Sequence, residues 1–163
     1  MIKQLIDMPY LKIQKIDYSD YMIRIYASVK SRRSKCPICG KYSKQVHDYY
    51  FRTITDLPVF QNKTKILLKT RKFRCGNKRC HRKVFSEQTP HIIRYSRRTK
   101  RVTRILETFA IELTGRMGSV ISEQLYLTVS SSTITRIAHS QALSDINQPR
   151  VLGGWMIGHT GKE

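Results

Sequence analysis

Apolar and polar residues alternate along the first half of the chain and shift to helical spacing in the second. Residues 1–35 read as strand material. Between Tyr21 and Lys30, Tyr21, Ile23, Ile25, Ala27 and Val29 share one face, while Arg24, Ser28 and Lys30 share the other. That is the period of two expected of a half-buried strand. Tyr49–Thr55 and Lys63–Arg74 predict a second strand pair. Asp56-Leu57-Pro58 is expected to break the chain between them, because proline cannot donate to a ladder. Val84 and Phe85 return the chain to the core, and Thr89-Pro90 marks a boundary.

From Ser96 onward the pattern is helical. Ile105, Leu106, Phe109, Ile111 and Leu113 fit one broad helix face, as a core-facing helix requires. Ser96 or Thr99 is the expected cap, and Gly115 and Gly118 the expected end. A short helix is predicted over 119–126, starting at Ser119. A turn follows over 127–130, then a helix over 131–142 with Ile134, Ile137 and Ala138 as its buried stripe. Two short helices behind a longer supporting one read as a helix-turn-helix. The predicted fold class is α+β: a zinc ribbon-like β domain over 1–90, an all-α helix-turn-helix domain over 91–147, and a tail over 148–163.

The zinc assignment comes from the cysteines. All four of them fall in two close pairs, Cys36-x-x-Cys39 and Cys75-x4-Cys80. Two thiolate pairs converging on one ion make a closed tetrahedral site of structural type, with no open position for a catalytic water. Pro37 and Gly40 suit the tight turn of such a knuckle. Thirty-five residues separate the pairs. An insert of that length is tolerable if it folds as a β-hairpin, since loop length adds little closure entropy. His47 and His81 stand near enough in sequence to be alternative ligands. Zinc would also staple a β unit too small to be secure on its core alone.

Charge defines the partner class. The 163 residues hold 31 Lys and Arg against 11 Asp and Glu, a formal net charge of +20. Self-repulsion of that size is relieved beside a polyanion. Residues 63–83 contain ten Lys or Arg, and residues 94–104 contain six, with no acid in either. From the first stretch and its neighbour, Lys69, Arg71, Lys72, Arg74, Arg97, Arg98, Lys100 and Arg101 are candidate phosphate contacts. Ser131, Ser132, Thr133, Thr135 and Arg136 begin the last helix. They either meet base edges in the major groove or cap the helix. The expected partner is double-stranded DNA. No apolar run of about 18 residues is present, so no membrane span is expected. A missing signal-peptide core and the paired cysteines favour a reducing cytoplasm, with the protein on the nucleoid. No paired carboxylates, activated nucleophile or phosphate-binding glycine loop is visible, and an enzyme is not expected.

These residues resemble a known family. Cys36-Pro37-Ile38-Cys39-Gly40, Arg52-x-x-x-Asp56-Leu57-Pro58, Arg71-Lys72-Phe73-Arg74-Cys75-x4-Cys80 and Val84-Phe85 are similar to the zinc-binding N-terminal domain of bacterial ISL-three family insertion-sequence transposases. Tyr95 to Arg101 and the helical segment are similar to that family's helix-turn-helix. The resemblance implies binding to terminal inverted repeats, with a second copy of the chain or an intact transposase as protein partner. Within the family, a phrase like Pro149–Gly153 opens a catalytic domain bearing an acidic triad. Residues 154–162 depart from it in a way that a frameshift would explain, and this implies a truncated transposase without its catalytic carboxylates. A stand-alone transcriptional regulator and an RNA-binding zinc protein are the competing readings.

Overall fold

The computed structural model describes residues 8–145. The tail over 148–163, with the frameshift expectation, lies outside the described residues. A five-stranded sheet is followed by three helices, the α+β arrangement expected. Strands β1 (Leu11–Ser19) and β2 (Met22–Val29) form an antiparallel hairpin. Strands β3 (Ser34–Lys35) and β4 (Tyr42–Ser43) form a separate small ribbon. Strands β5 (Val46–Val59) and β6 (Asn62–Arg74) make a long hairpin, and β7 (Val84–Ser86) pairs with the end of β6. The strand order is β1-β2-β6-β5, with β2 and β6 parallel.

One sheet face is the core. Ile23, Ile25 and Ala27 of β2 meet Ile54 of β5 and Ile66 and Leu68 of β6, all nearly inaccessible to solvent. Met8 and Ile92 complete this layer. The alternation anticipated for β2 is present, but Tyr21 is not part of it. Tyr21 occupies the hairpin turn with a φ of 56° and is exposed.

The break expected at Asp56-Leu57-Pro58 does not occur. β5 runs through these residues and reverses at Phe60-Gln61 instead. Both turn residues have positive φ, 48° and 59°, as a two-residue hairpin loop with the right twist needs. Pro58 is tolerated because β5 is the last strand in the order and its register shifts between Asp56 and Val59, conditions under which a missing donor is harmless.

Asp56 explains why the strand continues. Its side chain is fully buried and accepts hydrogen bonds from Thr99 Oγ1 at 2.8 Å and Arg101 Nε at 2.7 Å. Thr99 is the N-cap of helix α1 (Lys100–Glu112). The Thr55 N–H donates to the Arg97 carbonyl and the Thr99 N–H to the Thr55 carbonyl, so the backbone seals the same joint. Leu57 packs into the helical core with Val102, Leu106 and Ile134. Burial, followed by the Asp56 charge, pushes the neighbouring Tyr10 hydroxyl up to about 12.

The two glycines expected to end α1 have another role. α1 ends at Glu112 with Leu113 as its C-cap, and Thr114 caps α2 (Gly115–Gln124). Helix α2 therefore starts before Ser119. A Cβ on Gly115 would stand 2.4 Å from Thr135 Oγ1, and one on Gly118 would stand 3.1 Å from Ile134 Cγ2. The glycines let α2 pack closely on α3 (Ser131–Asp145). Ile134 is buried with Ile137 and Ala138 packed beside it, as anticipated, whereas Ile111 points outward and is 67% exposed. Among the described residues no helix is long and apolar enough to cross a membrane.

Removing the Asp56 carboxylate takes away the buried acceptor that the Arg101 guanidinium and the Thr99 hydroxyl share. Asp56→Ala is therefore expected to cost about 3 kcal/mol, read as a lower urea midpoint, with the helical and sheet signals ceasing to melt together. An unchanged midpoint would remove this residue from the joint.

Candidate metal centre and basic surfaces

The first knuckle is built by the β3–β4 ribbon. The Cys36 N–H donates to the Lys41 carbonyl at 2.9 Å, and the Gly40 N–H donates to the Cys36 carbonyl at 3.0 Å. The loop closes only because Gly40 adopts a φ of 72°, a conformation that is cheap for glycine. The second knuckle hangs between β6 and β7, where the Cys75 N–H donates to the Lys83 carbonyl and the Cys80 N–H to the Asn77 carbonyl.

The 35-residue insert is spanned largely by the β5–β6 hairpin. Its pairing of Val46 with Phe73 brings the strand roots, and so the two knuckles, together. Phe73 and Phe85 pack behind the cysteines.

All four sulfurs lie within 4.8 Å of one another, and Cys39 Sγ is 3.6 Å from Cys75 Sγ. Tetrahedral zinc with Zn–S bonds of ~2.3 Å needs sulfurs ~3.8 Å apart, so the donor set fits structural Zn2+. Neither His47 nor His81 joins the group. His47 accepts a hydrogen bond from Arg74 Nε, and His81 is exposed. Among the described residues the four cysteines are the one cluster able to hold a metal. The sulfurs differ electrostatically. The Lys41 N–H chiefly draws the Cys39 thiol down to about 6. The Asn77 N–H pulls Cys75 down too, but burial and the other three sulfurs outweigh it and push that thiol up to about 11.

The basic residues separate into distinct settings. Arg71 is held by the buried Glu87 and donates to the Val29 and Ser31 carbonyls. These contacts close the gap where the neighbour of β6 changes from β2 to β7, because Glu87 Oε2 also accepts the Arg71 N–H. Arg101 is held by Asp56. Lys69 lies over the Tyr49 ring at 4.7 Å on the sheet face away from the core. Lys72 pairs with Asp48 at 3.2 Å, and Arg74 is exposed.

At the helical end, Arg97 and Lys100 are exposed. Burial, followed by the Arg136 charge, holds the Arg98 guanidinium below its ordinary value. A cation of α3 thus acts electrostatically on one of the α1 approach. In α3, the Ser130 carbonyl accepts the Ile134 N–H, and Ser130 Oγ meets Ser132 Oγ and Thr133 Oγ1 at 3.1 and 3.0 Å. Thr135 Oγ1 bonds back to the Ser131 carbonyl. Ser131, Ser132, Thr135 and Arg136 are exposed, and Thr133 is partly so.

The partners of Asp56 and Glu87 escape a sequence reading because an isolated carboxylate carries no periodicity. The one available signal is their placement among many cations.

Residues 32–80 match the family model described as the zinc-finger of transposase IS204/IS1001/IS1096/IS1165. No curated protein and no solved structure matches the chain. The matched block holds both knuckles and the hairpin between them, and it is similar to that zinc-finger.

Zinc is held by thiolates, so protons compete with it. Acidification is expected to release the metal and alkaline pH to retain it. Cys36→Ser should lower bound zinc from a single equivalent to near zero and melt the sheet signal at ambient temperature. Elemental analysis and circular dichroism read the two effects. Full zinc content in that variant would contradict the four-sulfur site.

Proposed function

We propose that the protein binds duplex DNA at the terminal inverted repeats of an insertion sequence, serving as the recognition half of a transposase rather than in strand cutting. The observation that carries this reading is the match of residues 32–80 to a transposase zinc-finger in a chain whose net charge is +20. The helical region supports it. Burial, and after it the Arg136 charge, works against the Arg98 guanidinium, a cost that a bound phosphate would offset.

In this reading α3 enters the major groove. Ser132, Thr133 and Arg136 face base edges there, while Ser131 and Thr135 stand at the flank of the helix. Arg97, Arg98 and Lys100 grip phosphates beside the groove, and Lys69, Lys72 and Arg74 add positive field from the sheet. Arg71 and Arg101 contribute by shaping the surface through Glu87 and Asp56. The metal supplies stiffness alone, since four thiolates leave no position for water. Function on the nucleoid, with a second copy or an intact transposase beside it, follows from the same reading.

Gel-shift titration against the inverted repeats flanking the gene tests it. Arg136→Ala should weaken specific binding about tenfold or more and change binding to unrelated duplex less. Lys100→Ala should weaken both and reduce the salt slope by about one. Equal affinity for repeat and unrelated DNA would sink the site assignment, and robust magnesium- or manganese-dependent cutting would sink the recognition-only role.

A further inference from the structure

The sheet has a second face, opposite the apolar core; the cysteine knuckles cover it at Phe73, and from Lys69 toward the other end its side chains are half-buried or exposed. The strand registers assemble it in rows. Lys15 of β1 stands opposite Tyr26 of β2, and Tyr26 beside Leu67 of β6. Lys12 stands opposite Ser28, Ser28 beside Lys69, and Lys69 opposite Phe51 of β5. Arg24 stands beside Lys65. Five cations (Lys12, Lys15, Arg24, Lys65 and Lys69) therefore share a surface with three rings. Tyr49 is 52% and Phe51 69% exposed. This face also carries two carboxylates, each already paired: Asp17 with Lys15 at 2.8 Å, and the buried Glu87 with Arg71.

We propose that this face binds single-stranded nucleic acid, at a surface separate from the helices. Width argues against a duplex. Four strands span about 14 Å, more than the roughly 12 Å major groove, so the sheet cannot enter it. Against a closed duplex the rings would meet only sugar and phosphate. An unpaired strand offers both chemistries at once: bases for the rings and phosphates for the ammonium groups. Tyr49 and Phe51 alternate on the edge strand, so their rings are set about 7 Å apart along it. Lys69 stands opposite Phe51 and over Tyr49 at 4.7 Å, which places a phosphate ligand between two stacking positions. Phe51 would otherwise be an apolar ring left in water within a basic field.

The test uses the zinc-loaded full chain and fluorescence anisotropy. The probes are labelled oligo-dT, oligo-U and a duplex of unrelated sequence, all at low salt. Oligo-dT and oligo-U share the stacking and phosphate chemistry, and the tighter of the two assigns the sugar. The Tyr49→Ala/Phe51→Ala variant alters only exposed side chains, and zinc content and melting confirm its fold. It should bind single strands about tenfold more weakly and the duplex within twofold of the parent. Arg136→Ala should show the converse, so the two surfaces fail independently. Lys69→Ala should flatten the salt dependence for single strands. Absence of binding to both oligonucleotides by the parent protein would overturn the proposal, and so would equal loss of duplex and single-strand binding in the aromatic variant.

Discussion

A buried carboxylate on an edge strand joins the two halves of this molecule. Asp56 is fully enclosed, and everything it touches belongs to the start of the first helix. A charge in that position is tolerable only when fully paired. The sheet therefore cannot keep its last strand intact without the helix, and the helix cannot keep its cap in place without the sheet. The backbone bonds between Thr55 and residues 97 and 99 make the joint directional as well as strong. A helix carried on such a joint keeps a fixed position relative to the sheet.

The metal centre and this joint sit at opposite ends of one hairpin. At the root of β5–β6, the pairing of Val46 with Phe73 brings the knuckles together. Near the tip, Asp56 and Leu57 take hold of the helices. The middle of the hairpin supplies Ile54, Ile66 and Leu68 to the core. Zinc released at the root would loosen the same strands that position the helices, so the metal centre acts on the helices through packing rather than through contact.

Many of the cations do not act as free charges. Glu87 uses Arg71 to bridge the gap between two neighbours of β6, and Asp56 uses Arg101 at the domain joint. Few carboxylates are available in this chain, and these two are spent inside the fold on arginine, whose planar fork suits bidentate pairing. The lysines stay outside, several of them lying over rings. The exposed cationic surface is therefore richer in lysine and aromatic residues than the raw composition suggests.

The local pattern of residues was enough to pick out the four-cysteine metal site, the β2 alternation and the buried stripe of α3, and to narrow the α1 cap to Ser96 or Thr99. Each depends on spacing within a few residues, where chain geometry alone decides what can meet. The passage of β5 through Pro58 was not legible, because strand continuation there rests on partners more than forty residues away. Gly115 and Gly118 look like helix stops until α3 is packed against them. The open basic face was likewise invisible, since the parallel pairing of β2 with β6 sets residues some forty positions apart side by side. Spacing settles which atoms can reach a metal or cap a helix. Only the assembled sheet, by fixing register between distant strands, settles which charges and rings share a surface.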